Sequence, residues 1–255
     1  MFRPRLIPVL TLKDKGLVKT TRFDKRKPRY IGDPINAVKI FNDLRTDELI
    51  FVDIMATLEN RCISTDLIRK IGDEAYMPFG AGGGITTLQQ IREIISAGAE
   101  KVVISTASVL DPELIQKAAD KFGNQSIVVC LDIKRNFWGH YHIYIRDGEV
   151  NTNQNPLDHA RKVEALGAGE IIIHSIDLDG TMKGYDMELI KSISDAVDIP
   201  VVALGGAGNP GHFKELFSLR GVSAAAGSCF VYHGSRNAVL VNYPDQEELK
   251  SILKK

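Results

Sequence analysis

Three aspartates lie at the ends of apolar segments, where a carboxylate could transfer protons. Asp53, Asp132 and Asp179 come at or just after the second, fifth and sixth of eight such segments. Carboxylates in these positions suit acid–base chemistry or binding of sugar hydroxyls. Asp177 and Asp186 have a simpler interpretation as turn residues or helix N-caps. That interpretation fits Asp132 poorly, because no helical pattern starts after it.

Glycine-rich turns after the third and seventh segments could bind anions through backbone N–H groups. Hydroxyl-bearing turns follow the fourth and eighth segments, and each precedes a helical element, which favours phosphate. Tight turns alone are the alternative, but the repeated pattern favours two phosphate sites on opposite sides of one ligand. The predicted phosphate-binding residues are Gly83, Gly84, Ser105, Thr106, Asp179, Gly180, Gly205, Gly206, Gly227 and Ser228.

Eight short apolar segments alternate with amphipathic ones along the 255 residues. Near-continuous apolar runs are typical of parallel strands buried on both faces. The predicted strands are Leu6–Leu10, Leu49–Ile54, Met77–Ala81, Val102–Ser105, Ile127–Asp132, Ile171–Ser175, Pro200–Leu204 and Val222–Ala226. The predicted helices include Thr86–Ala97, Asp111–Lys121, Pro156–Leu166, Asp186–Ala196 and Gly211–Leu219. This order predicts an α/β fold, either a (β/α)8 TIM barrel or a long doubly wound sheet.

An internal repeat favours the barrel. Gly82-Gly83 returns as Gly205-Gly206, an offset of 205 − 82 = 123 residues, and Gly98 and Gly221 have the same offset. The segment Leu10-Thr11-Leu12-Lys13 aligns with Leu131-Asp132-Ile133-Lys134. We therefore predict one domain over residues 1–255, built from two duplicated half-barrels.

Two segments interrupt the alternation. Lys13 to Gly32 is predicted to be a long loop, either a solvated connection or, as we prefer, a lid over the barrel mouth. Residues 137–151 are predicted to form an inserted hairpin that turns at Asp147-Gly148.

Composition excludes several classes of protein. The formal net charge is zero, so we expect no nucleic-acid or membrane partner. Three cysteines without a CxxC pair favour a cytoplasmic protein without disulfides. His140 and His142 lack supporting ligands nearby in sequence, so we predict no metal and no cofactor.

Four charged residues precede or open strands and would meet at the N-terminal end of the barrel. They are Arg5, Glu48, Lys101 and Glu170. From the residues alone, a neutral ring that closes the barrel floor and adds stability is the preferred interpretation.

The chain resembles the HisF family, the cyclase subunits of imidazole glycerol phosphate synthase, along nearly its whole length. The resemblance rests on Arg5-Leu6-Ile7-Pro8, Asp47–Asp53, Gly82–Ile85, Leu131–Arg135, Asp177–Asp186 (DLDGTMKGYD) and Gly205–Gly208. It implies a lyase that receives ammonia from a HisH-like glutaminase, its partner in a heterodimer. It also implies that the four floor charges form an ammonia gate.

The resemblance also exposes three departures. The family's catalytic pair is two aspartates, and its positions here hold Thr11 and Asp132; a threonine cannot serve as a carboxylate near neutral pH. Loss of one acid–base group typically lowers rates by roughly 10²–10⁴-fold. His174 and Ser105 stand where the family usually has threonine and asparagine. Lys19, Asp53 and His174 are the predicted substrate-binding residues.

These departures, beside an intact floor, resemble the HisF paralogues of bacterial surface-polysaccharide clusters. Such proteins supply ammonia to a sugar amidotransferase that converts an N-acetyl group to an acetamidino group. The alternatives are a true histidine-pathway cyclase, a partner that only activates the glutaminase, and an unrelated phosphate-binding barrel.

Overall fold

The computed structural model describes residues 3–234 and 236–253. The strands are β1 Leu6–Lys13, β2 Gly16–Lys19, β3 Arg29–Gly32, β4 Leu49–Asp53, β5 Phe79–Gly82, β6 Lys101–Ile104, β7 Ile127–Arg135, β8 Tyr141–Ile145, β9 Val150–Asn151, β10 Glu170–Ser175, β11 Val201–Leu204, β12 Val222–Ala226, β13 Tyr232–His233 and β14 Ala238–Val239. The α-helices are α1 Pro34–Asp43, α2 Thr65–Glu74, α3 Leu88–Ser96, α4 Thr106–Leu110, α5 Glu113–Phe122, α6 Pro156–Ala165, α7 Met187–Ser194, α8 Pro210–Leu216, α9 Ser228–Val231 and α10 Gln246–Leu253.

The predicted barrel is confirmed. Parallel strands pair in the order β10-β11-β12-β1-β4-β5-β6-β7, and pairing of β10 with β7 closes the cylinder. The helices between successive barrel strands pack outside. Every barrel strand therefore ends at the same mouth, which places Asp53 and Asp132 at one end of the cylinder.

The barrel strands are apolar throughout because both of their faces are buried. One core lies between the strands and the helices, and a smaller one fills the lumen. The lumen core contains Ile7, Val9, Ile50, Val103, Val128, Cys130, Ile172, Val202, Leu204 and Ala225. An apolar interior thus separates the charged floor from the polar mouth.

Helix ends follow the sequence signals. Asp186 caps α7 by accepting a hydrogen bond from the Leu189 amide, and Pro156 occupies the first turn of α6. Gly98 and Gly167 come directly after the C-caps of α3 and α6 and have positive φ, as is common where helices end.

The prediction of a continuous loop from Lys13 to Gly32 is wrong. Strand β1 runs past the barrel rim to Lys13, reverses, and pairs antiparallel with β2, which in turn pairs with β3. Asp14 supplies the left-handed backbone for the reversal, with φ of 55°. Besides the turn at Asp14-Lys15, residues 20–28 lack strand structure. This segment, called the lid below, lies over the mouth, where Phe23 packs against His174 near the end of β10.

A second antiparallel extension stands where the hairpin was predicted. Strand β7 continues three residues past Asp132 to Arg135 and pairs with β8, which pairs with β9. Asp147 and Gly148, at the predicted turn, have positive φ. No helix among residues 3–234 and 236–253 has the length and apolar character needed to cross a bilayer.

Candidate active site

A cavity of about 390 Å³ opens at the mouth of the barrel. It collects most of the predicted site residues: Thr11, Lys19, Asp53, Gly83, Gly84, Ser105, Thr106, Asp132, His174, Asp179 and Gly227 all line it. Apart from Lys19, which ends β2, these residues come from seven barrel strand ends or the turns after them, and barrel closure brings those seven together. The cavity is large enough for a small-molecule ligand.

Asp132 lies at the centre of a hydrogen-bond network. Ser105 donates its hydroxyl to Asp132 Oδ2 at 2.7 Å, and His174 Nδ1 lies 3.0 Å from Asp132 Oδ1. Register explains the second contact, because β10 pairs with β7 so that His174 stands directly opposite Asp132. Two of the three positions that depart from the family pattern, Ser105 and His174, therefore touch Asp132, the carboxylate to which the resemblance assigns the acid–base role.

His174 is held between two acids. Its Nε2 lies 3.5 Å from Asp179 Oδ1. The ring of Phe23, from the lid, packs against the imidazole with 4.9 Å between the ring centroids. Burial lowers the pKa of His174, but the hydrogen bond to Asp132 and the nearby Asp179 outweigh burial and raise the pKa well above its ordinary value. The two carboxylates therefore favour the charged form of the imidazole.

Cys130 belongs to the same cluster, and sequence reasoning missed it. Its Sγ lies 3.7 Å from Asp132 Oδ1, because residues two apart on a strand share a face. Burial raises the pKa of this thiol to about 12. Its position two residues before Asp132 was the available signal.

Thr11 faces the cavity, but its hydroxyl donates to the carbonyl of Val18 on β2. The hydroxyl proton is therefore used to tie the extension to β1. Thr11 supports the lid rather than presenting a free proton to a ligand.

Lys19 is buried, and it points to the turn after β12. Its Nζ donates to the carbonyl of Val9 at 2.7 Å, and a Cβ on Gly227 would lie 2.0 Å from that nitrogen. Glycine at 227 thus leaves room for the ammonium group. Burial lowers the pKa of Lys19 to about 8, against the opposing effects of Asp179 and Cys229.

Asp53 has a cationic partner that sequence reasoning missed. Arg61 contacts the Asp53 carboxylate at 2.6 Å and lines the cavity, and Asp53 also accepts hydrogen bonds from the Met55 and Ala56 amides. Gly84 is required here, because a Cβ would lie 1.8 Å from the carbonyl of Arg61. Asp53 organises the turn that presents Arg61.

The two predicted phosphate regions differ in their access to the cavity. Gly83, Gly84, Ser105 and Thr106 line it, whereas Gly205, Gly206, Gly180 and Ser228 do not. A Cβ on Gly206 would lie 1.9 Å from the carbonyl of Gly184, and one on Gly180 would lie 2.6 Å from the carbonyl of Thr20. Close backbone packing accounts for these two glycines in the present arrangement.

The lid is docked over the cavity. The Arg22 amide donates to the carbonyl of Asp179 at 2.9 Å, and its guanidinium donates to the carbonyl of Asp177 at 2.9 Å. Lys25 forms an ion pair with Asp147 on the hairpin. The lid thus bridges the turn after β10 and the β8–β9 turn.

At the opposite end of the barrel, the four predicted charges form a closed ring, called the floor ring below. Arg5 contacts both Glu48 and Glu170. Lys101 lies 2.8 Å from Glu48 and 2.9 Å from Glu170. Each carboxylate therefore has both cations as partners, and both carboxylates are buried.

Comparison with known proteins places this barrel in a family. The model of the histidine biosynthesis protein family matches residues 5–236, so the chain belongs to that family.

Within it, the chain is similar over 88% or more of its length to named HisF subunits. A Pseudomonas aeruginosa protein, provisionally named imidazole glycerol phosphate synthase subunit hisF2, is 46% identical over 250 residues, 98% of this chain and 99% of that protein. A Leptospira borgpetersenii protein, provisionally named subunit HisF, is 44% identical over 99% of both chains. Subunit HisF of imidazole glycerol phosphate synthase from a Hydrogenobaculum species is 45% identical over 88% of both. The chain is therefore a member of the HisF family.

Proposed function

We propose that this protein receives ammonia from a HisH-like glutaminase at the barrel floor and delivers it through the lumen to the mouth. The floor ring supports this, because four charges meet where the apolar lumen begins. The lumen core above it is lined by small and medium aliphatic side chains, which do not retain a neutral ammonia molecule.

The ammonia is used, in this proposal, to convert an N-acetyl sugar to its acetamidino form in surface-polysaccharide biosynthesis. The observation that supports this most directly is that the Thr11 hydroxyl donates its hydrogen bond to the Val18 carbonyl. The acid–base pair of a cyclase is thereby reduced to Asp132 alone, while the floor ring is complete.

Delivery to another enzyme requires a second protein, a sugar amidotransferase, at the mouth. The turn between β7 and β8 extends beyond the mouth and carries Phe137 and Trp138, which are 95% and 78% exposed. Large exposed aromatic side chains are enriched at protein interfaces. This tip supports a docking position next to the opening from which ammonia leaves.

A true cyclase is the second candidate, favoured by Asp132 in the cavity and by the cationic Lys19 and Arg61 beside it. An assay with the bis-phosphorylated ribulosyl nucleotide and ammonium chloride separates the two functions. We expect turnover lowered by roughly 10²–10⁴-fold relative to a HisF with both aspartates.

The Thr11→Asp variant is the matched test, with Thr11→Asn as its uncharged control. Recovery of turnover in the aspartate variant alone supports the loss of a carboxylate as the cause. Normal turnover in the unmodified protein contradicts the amidination role. Absence of a complex with any co-expressed HisH-like glutaminase contradicts ammonia transfer in both candidate functions.

A further inference from the structure

His174 on β10 lies 42 residues after Asp132 and 44 after Cys130, both on β7, and pairing of the two strands brings the three side chains together. Cys130 and Asp132 are alternate residues of β7 and share its inward face. His174 on β10 is in register with Asp132. The thiol, carboxylate and imidazole atoms all lie within 4.8 Å of one another.

Two of the three spacings between these atoms are close to those of a tetrahedral metal site. Zinc bonds of about 2.0–2.3 Å at tetrahedral angles place ligand atoms about 3.3–3.6 Å apart. Here Cys130 Sγ lies 3.7 Å and His174 Nδ1 lies 3.0 Å from Asp132 Oδ1. Side-chain adjustments of a few tenths of an ångström would bring both distances into the metal-bound range.

The outer contacts of the cluster are those of a metal site. His174 Nε2 is buried and has no hydrogen-bond partner among the described residues, and it lies 3.5 Å from Asp179 Oδ1. Metal at Nδ1 would fix the tautomer that directs the Nε2 proton toward Asp179, the carboxylate–histidine–metal arrangement of known sites. Ser105 donates to the other oxygen of Asp132 and orients it.

We propose that Cys130, Asp132 and His174 bind one Zn²⁺ ion. Thiolate and imidazole ligands favour Zn²⁺ over Mg²⁺ or Ca²⁺, which prefer oxygen. Three protein ligands leave one coordination position open, as in catalytic zinc sites. All three residues line the cavity, so the open position faces it and can take a nitrogen or oxygen donor from a ligand. The site concerns this chain alone and stands or falls independently of ammonia delivery.

Cobalt substitution tests the site directly. The chain is treated with a chelator, titrated with Co²⁺, and followed by absorbance, because a cobalt–thiolate bond gives a charge-transfer band and a four-coordinate ion gives intense d–d bands. We expect one Co²⁺ per chain, both bands, and displacement of Co²⁺ by Zn²⁺. Elemental analysis of the zinc-loaded protein should give the same stoichiometry.

Variants distinguish this site from other thiols and histidines. Cys130→Ser should remove the charge-transfer band, and His174→Gln should weaken Co²⁺ binding by at least about 100-fold. Asp179→Asn should weaken it by about 10–100-fold, as loss of an outer-shell partner does. Cys229→Ser, which changes the cysteine near Lys19, should leave spectrum and affinity unchanged. Absence of the band in the unmodified chain, or its persistence in Cys130→Ser, overturns the proposal. If circular dichroism shows that Cys130→Ser is unfolded, folded His174→Gln provides the test, and an unchanged Co²⁺ affinity in that variant overturns the proposal.

Discussion

Replacing Lys101 by methionine should destabilise the barrel through the floor ring. The side chains of Glu48 and Glu170 are only 4% and 7% exposed, and each contacts both Lys101 and Arg5. Lys101→Met leaves two buried carboxylates with one cation. Removing one partner of a fully buried ion pair costs about 3–5 kcal/mol. Since the Lys101 side chain is 19% exposed, water replaces part of the lost interaction, and we expect a loss of about 2–4 kcal/mol.

Equilibrium urea unfolding, followed by circular dichroism, measures this loss in the free energy of unfolding. The matched control is Lys117→Met, because Lys117 forms an exposed pair with Glu113 and its loss should leave the unfolding midpoint almost unchanged. The double variant Lys101→Met with Glu170→Gln restores neutrality and should lose less than the sum of the two single changes. Equal midpoints for Lys101→Met and Lys117→Met would refute the argument, because the ring would then carry no penalty for an unpaired buried charge.

Two pH dependences follow from buried bases. Lys19 has a pKa of about 8, so its ammonium group loses its proton and its charge as the pH rises through that value. Inorganic phosphate, titrated by calorimetry, should therefore bind about tenfold more weakly at pH 9 than at pH 7. Lys19→Arg should remove that dependence, and a pH-independent affinity in the unmodified protein would contradict it. Burial lowers the pKa of His159 to about 4, so from pH 6.5 to 4 the unfolded chain takes up a proton that the folded chain does not. Stability should therefore fall by about 3 kcal/mol over this range. Urea unfolding should show a smaller fall for His159→Gln, and identical pH profiles would rule out His159 as the cause.

The barrel could be predicted from the sequence because its strands are apolar on both faces and its halves repeat. The extension formed by β2 and β3 could not, because its pairing depends on where β1 leaves the barrel. Gly16-Leu17-Val18-Lys19 is short and polar at one end, and only its partner, the part of β1 beyond the rim, makes it a strand. The same holds for β3, whose residues Arg29 and Tyr30 are exposed.

The sequence predicted the site residues that are placed by strand ends. It did not predict contacts between side chains that depend on the path of a turn or the register of two strands. Asp132 and Asp53 could be placed at the mouth because strand ends share one face of the barrel. The partnership of Asp53 with Arg61 depends on the path of the turn after β4, which no spacing rule describes. The contact of Cys130 with His174 depends on the register between β7 and β10, which is set when the barrel closes.

The lid and the catalytic departure at Thr11 are physically linked. An aspartate at position 11, in the same orientation, would direct a carboxylate oxygen at the Val18 carbonyl, and two acceptors cannot bond to one another. The side chain would have to turn toward the cavity, leaving the Val18 carbonyl to water. Under the proposed function, a threonine at this position exchanges a proton-transfer group for a hydrogen bond that helps hold β2, and with it Lys19, against the mouth. Thr11 thus adds a side-chain hydrogen bond to the β1–β2 pairing from which the lid extends, so under the proposed function Thr11→Asp should change lid position and chemistry together.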